Sequence, residues 1–155
     1  TEETEVWIAY DSDHLYLAVH AHYSDVSLMR ANRSRRDQTW NHDRVLFYFD
    51  TFFDQHSAYQ FSVNGYGVQS DAHRGGGRGF SGVPGGGGGV GGVGGGGGSG
   101  GEDSSWNALF DTSGGPVEDG WIVEVAIPFK SLRYPSPPAG EPHRWGLQVL
   151  RDIKS

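Results

Sequence analysis

Apolar residues in this chain recur in short runs with a period of two, and clusters of Asp, Ser, Asn, Gly and Pro separate the runs. Glu5–Tyr10 and Leu15–Tyr23 read as two strands. They are joined by Asp11-Ser12-Asp13-His14, a turn of side chains that bond their own backbone. In the second strand Leu15, Leu17, Val19 and Ala21 point one way, and Tyr16, Ala18, His20 and His22 the other. In RVLFYFD, Arg44–Asp50, Val45, Phe47 and Phe49 alternate against Leu46 and Tyr48, which predicts a central strand covered on both faces. Ala58–Val63 and Gly67–Ala72 flank Asn64-Gly65-Tyr66 and predict a hairpin, through the preference of Asn-Gly for positive φ. Trp121–Ile127 and Trp145–Ile153 add two strands, with the proline-rich PFKSLRYPSPPAGEP between them, and Ser27–Asn32 reads as weakly helical or irregular. Closely spaced strands without an amphipathic helix predict an all-β fold, an antiparallel sandwich of jelly-roll type.

The 155 residues suffice for one domain with a packed core, spanning 1–155, and both ends read as cut from something longer. The low-complexity stretch 75–101 is predicted to be a glycine-rich insertion that adds little to the core. It contains many Gly-x-Gly-x-x-Gly matches, but no strand leads in and no helix opens from it, so a dinucleotide fingerprint is excluded. The stretch reads as a flexible excursion, or else as an ordered glycine arm packed on a partner. A net charge of −7 argues against nucleic acid as a partner, since a phosphate-tracking surface needs a concentrated basic face. The one basic cluster, Arg30–Arg36, sits among Asp37 and Asp43 and reads as a locally paired turn. No apolar run is long enough for a membrane helix, so no direct membrane insertion by this domain is expected. The absence of cysteine removes disulfides and thiolate metal sites.

Four blocks, TEVWIAYDSDHLYLAVHA, RRDQTWNHDRVLFYFDTFFDQHSAYQFSVNGYGVQSDA, DGWIVEVAIPFKSLRY and WGLQVLRDI, together resemble a carbohydrate-binding module family 9-like domain. The closest subgroup is the type at the front of large bacterial outer-membrane proteins that end in a β-barrel. The resemblance implies a β-sandwich without catalytic machinery that binds sugar, often with calcium nearby. It further implies a role in carbohydrate catabolism and a periplasmic, cell-surface or secreted home. Three departures accompany it. A first strand expected before Thr1 is missing, and Leu46 stands where sugar-binding members commonly carry Glu. An aromatic expected after the last strand would lie beyond Ser155.

A sugar site sets aromatic faces against the C–H face of a pyranose and fixes the hydroxyls with a few polar groups. Trp40, in the polar loop Gln38–His42, is the platform candidate, against a role as a lid on the sandwich edge. Trp106 is a second wall or an anchor closing the glycine-rich loop; Trp7, Trp121 and Trp145 read as core or half-core. Arg36, Asn64, Gln69 and Arg151 are candidate hydroxyl partners, each with a turn or cross-strand bond as the alternative. For a structural calcium ion the candidate ligands are Asp11, Asp13, Asp43 and Asp50, with Asp54, Glu102 and Asp103 as further acids; solvated turn acids are the alternative. His20 and His22 share a face at a spacing that can chelate a transition metal, given a further ligand from a neighbouring strand. Met29 with Lys130 or a His could in principle hold haem, but no attachment motif exists and no haem is expected. Acids scattered in turns, without a Gly-x-Ser-x-Gly elbow or His-Glu-x-x-His, predict no enzyme.

Two functions follow from these features. One is a glycan-binding module of a larger extracytoplasmic or outer-membrane protein. The other is a structural or assembly domain that kept the sandwich and contacts protein subunits. An exposed Trp40 lining a groove would favour the first; a packed Trp40 with a free edge or apolar patch elsewhere would favour the second.

Overall fold

The computed structural model describes residues 2–75 and 102–154, so the predicted glycine-rich insertion lies outside the described residues except for Gly75. The period-two runs form two antiparallel sheets. Strands β1 (Thr4–Tyr10), β2 (His14–His22), β7 (Asp111–Val117) and β8 (Gly120–Pro128) make a four-stranded sheet in the order β1-β2-β8-β7. Strands β3 (Arg44–Asp50), β4 (Ser57–Asn64), β5 (Gln69–Gly75), β6 (Glu102–Asp103) and β9 (Gly146–Asp152) make a five-stranded sheet in the order β6-β5-β4-β3-β9. Two single-turn 3-10 helices, Val26–Leu28 and Phe129–Ser131, are the helical elements among the described residues. Neither is long or apolar enough to cross a membrane.

The core lies between the sheets, as the alternation requires. Leu17, Val19 and Ala21 of β2 and Val123, Val125 and Ile127 of β8 meet Val45, Phe47, Phe49, Phe61 and Val63 of the facing sheet. β3 is central and apolar on both faces: Leu46 and Tyr48 are buried with Ala58 on the side turned away from the other sheet.

The hairpin between β4 and β5 forms, though not through positive φ at Asn-Gly. Asn64 is the last residue of β4, and the Gly67 amide donates to its carbonyl at 2.9 Å. The left-handed residue is Gly67, φ 74°, as in a turn followed by a bulge. Gly65 is required for space instead, because a Cβ there would stand 2.8 Å from Cγ of Trp121.

The two sides of the sandwich differ. On one, the outer strands are the two-residue β6 and β7, which carries Gly114, Gly115 and Pro116. On the other, β1 and β9 lie together, linked by Arg151 of β9, which donates to the Glu3 carbonyl at 2.7 Å and Thr4 Oγ1 at 3.0 Å. Register places Ile8 and Tyr10 of β1 on the inward face with Leu17 and Leu15. It likewise puts Leu147 and Val149 of β9 with Phe49 and Phe47. All four point into the sandwich, yet all four are exposed.

Candidate functional site

The outward face of the five-stranded sheet carries a cleft of about 530 Å³. Its lining includes Trp40, Leu46, Tyr48, Gln60, Arg74 and Asp152. Trp40 comes from the loop before β3 and is 63% exposed; Leu46, on β3, is buried between its register partners Ser62 and Leu150. The position where the resemblance expects a Glu therefore lies in this cleft and is apolar.

The polar groups around this apolar strip are held in pairs. Arg74 Nε donates to Gln60 Oε1 at 2.9 Å, and its guanidinium sits 5.5 Å from the centre of the Tyr48 ring. Asp152 accepts from Arg44 Nε at 3.2 Å and from Lys154 Nζ at 2.7 Å. The cleft therefore combines one exposed indole, an amide–guanidinium pair and a carboxylate with two cations. Such a set can stack on an apolar ring face and exchange hydrogen bonds with hydroxyls at its edge.

Of the four polar partners predicted from sequence, Arg36, Asn64 and Gln69 lie outside this cleft and Arg151 is part of its lining; all four are engaged within the fold. Arg36 Nη1 donates to Gln69 Oε1 at 2.5 Å, and Nη2 donates to Asp71 and, at 2.7 Å, to the Ala108 carbonyl. Gln69 Nε2 donates to the Phe110 carbonyl at 2.8 Å. Burial pushes the Asp71 carboxyl up, against the amide of Ala108 and the charge of Arg36. Asn64 is fully buried and serves the hairpin: its Nδ2 donates to the Asn32 carbonyl at 2.9 Å and to His42 Nδ1 at 3.0 Å. Its Oδ1 accepts from the amides of Tyr66 and Val68, each at 3.0 Å. Arg151 spans the β1–β9 side, with its guanidinium 4.6 Å from the centre of the Tyr23 ring.

Trp106 packs inward, its ring 4.8 Å from Tyr59 and 5.8 Å from Phe61, and it is not part of the lining of the Trp40 cleft. Trp121 is fully buried and Trp145 half-buried, as a core reading requires. Trp7 departs from that reading. It stands on the outward face opposite Ala18 and is 53% exposed. The signal was present in the alternation, since Trp7 shares its parity with Glu5 and not with Val6.

The candidate calcium ligands are occupied separately. Asp11 caps its own turn, accepting from the amides of Asp13 at 2.7 Å and His14 at 2.8 Å, and these bonds hold its carboxyl below the usual range. Asp13 lies exposed in that turn and accepts from Ser12 Oγ at 3.0 Å. Asp50 accepts from the amides of Asp54 and Gln55. Asp43 is fully buried and accepts from Tyr23 Oη and from the amides of Arg30 and Lys154. Among the described residues, the group whose ligand atoms draw together is Glu5, His20 and His22. Scanned against protein-family models and against curated proteins, the chain matches none.

Proposed function

We propose that this chain is a non-catalytic glycan-binding module of a larger extracytoplasmic or outer-membrane protein. In this reading the cleft on the outward face of the five-stranded sheet receives the sugar. The observation that carries it is Trp40, a large indole held in solvent at the rim of a groove whose polar groups are already paired and oriented. An exposed Trp is costly to keep without a partner for its face. Trp40 is the platform, while Gln60, Arg74 and Asp152 take the hydroxyl-binding role that the sequence reading gave to Arg36, Asn64, Gln69 and Arg151. The test is a glycan array probed with the folded protein and its Trp40→Ala variant, with and without calcium. Binding that the variant loses supports the reading; a folded wild-type protein that binds no glycan overturns it.

A second reading, a structural or assembly domain that contacts protein subunits, is favoured by the β1–β9 side. There Ile8, Tyr10, Leu147 and Val149 face inward and remain exposed. Substituting Ile8 and Val149 by Ser would leave glycan binding intact and abolish association with protein partners.

A further inference from the structure

We propose that Glu5, His20 and His22 form a binding site for a divalent transition-metal ion of the zinc class, with Asp119 fixing both imidazole rings. The site lies on the outward face of the four-stranded sheet, on the opposite side of the sandwich from the Trp40 cleft, and does not depend on the glycan reading.

Strand register builds it. β1 pairs with β2 so that Glu5 stands directly opposite His20, and the two-residue period puts His22 on the same face. β8 pairs with β2 so that Gly120 stands opposite His22, which brings the preceding Asp119 alongside both histidines. The backbone there is tied down, with the His22 amide donating to the Glu3 carbonyl at 3.0 Å and Arg151 Nη2 donating to the His22 carbonyl at 2.7 Å.

Each imidazole turns one nitrogen to Asp119 and the other to Glu5. Asp119 Oδ1 is 3.0 Å from His20 Nε2, and Oδ2 is 2.9 Å from His22 Nδ1. Glu5 Oε2 is 3.1 Å from His22 Nε2 and 3.8 Å from His20 Nδ1. An ionised carboxylate only accepts, so Asp119 selects the N–H tautomer on His20 Nε2 and His22 Nδ1. The lone pairs left on His20 Nδ1 and His22 Nε2 then converge with an oxygen of Glu5. A cation is needed among these three acceptors: either a proton on His22 Nε2, which lies within hydrogen-bond distance of Glu5, or a metal ion that takes the proton's place.

The spacing suits a small one. Ligand atoms about 2.0–2.1 Å from a tetrahedral zinc lie roughly 3.4 Å apart, between the two distances to Glu5 Oε2. All three ligand atoms fall within 4.8 Å of one another. Two imidazoles in a set of three select a borderline ion such as Zn²⁺ or Cu²⁺ over Ca²⁺, which prefers oxygen. A carboxylate bonded to the far nitrogen of a metal-bound histidine is the usual outer partner of such sites, and here one carboxylate serves both rings. The side chains of His20 and His22 remain 18% and 25% exposed, which leaves a route for the ion and room for a water as fourth ligand.

The experiment is calorimetric titration of Zn²⁺ into untagged, chelator-treated protein, beside His22→Ala, Glu5→Gln, Asp119→Asn and His14→Ala variants checked for folding by circular dichroism. One equivalent is expected to bind wild type and His14→Ala alike. Glu5→Gln should weaken it, and His22→Ala should bring it below detection. Asp119→Asn should weaken it by roughly 10- to 100-fold, the usual effect of losing an outer partner. A Co²⁺-loaded sample should show the visible absorption of a four-coordinate site. Absence of saturable Zn²⁺ binding by folded wild type, binding that survives His22→Ala, or displacement of Zn²⁺ by equimolar Ca²⁺ would each overturn the proposal.

Discussion

Tyr23 donates its phenolic hydrogen to Asp43 Oδ2 over 2.5 Å, joining the residue that follows β2 to the residue that precedes β3 inside the sandwich. Asp43 is fully buried and takes two backbone amides besides, from Arg30 at 2.6 Å and Lys154 at 2.6 Å. One carboxylate thereby ties together the end of β2, the loop before β3 and the segment after β9. Its bonds account for a buried acid in a sheet protein without any metal.

Alkaline titration should expose this bond. Burial, then the bond to Asp43, push the Tyr23 phenol up to about 12. In the unfolded chain it would ionise near about 10. A group raised on folding gives its full stabilisation below the unfolded value and loses it as pH rises through the folded one. Tyr23 therefore stabilises the fold fully below about pH 10 and ceases to do so through about pH 12. Ultraviolet absorbance should show one of the seven tyrosines ionising last, and Tyr23→Phe should remove that step. Superimposable curves for the two proteins would contradict the assignment.

Two tryptophans should respond oppositely to truncation. Trp40→Ala should leave the denaturation midpoint nearly unchanged, within about 0.5 kcal/mol, as for an exposed residue. Trp106→Ala removes an aromatic packed on Tyr59 and Phe61 and should cost roughly 3 kcal/mol. Urea unfolding of both variants checks this, and a large loss in Trp40→Ala would mean that Trp40 is a structural lid.

Asn64→Ala should be among the costlier polar substitutions. It strips the Tyr66 and Val68 amides and the Asn32 carbonyl of their partner inside a buried hairpin end. About 2–3 kcal/mol is expected, since groups left unpaired in the interior lose their solvation. Asn64→Asp keeps the two acceptor bonds but sets a buried carboxylate oxygen against the Asn32 carbonyl, so by thermal unfolding it should be no more stable than Asn64→Ala.

The strands that pack the core were legible because their alternation is uninterrupted, as in Leu15–Ala21 and Val45–Phe49. β7 was not, because its sequence, DTSGGPV, carries two glycines and a proline. An outermost strand tolerates both, since the Pro needs no ladder donor there. The partners of polar residues were harder to read. Arg36 meets Asp71 from 35 positions away, and a loop-to-strand bond of that kind leaves no local trace. Trp40 was readable as a site candidate from its polar loop, whereas Gln60 and Arg74 looked like ordinary strand residues. His20 and His22 announced their shared face, but Glu5 and Asp119 joined them only through the register of three strands.

The unequal sides of the sandwich set a limit on self-assembly. A two-residue β6 and a proline-bearing β7 offer a poor template for an incoming strand, while β1 and β9 each offer seven residues. Among the described residues, then, sheet extension has one direction. Two copies meeting through that side would cover the edges of both sheets there, β1 and β9 together, and among the described residues would leave the two-residue β6 and the proline-bearing β7 outermost.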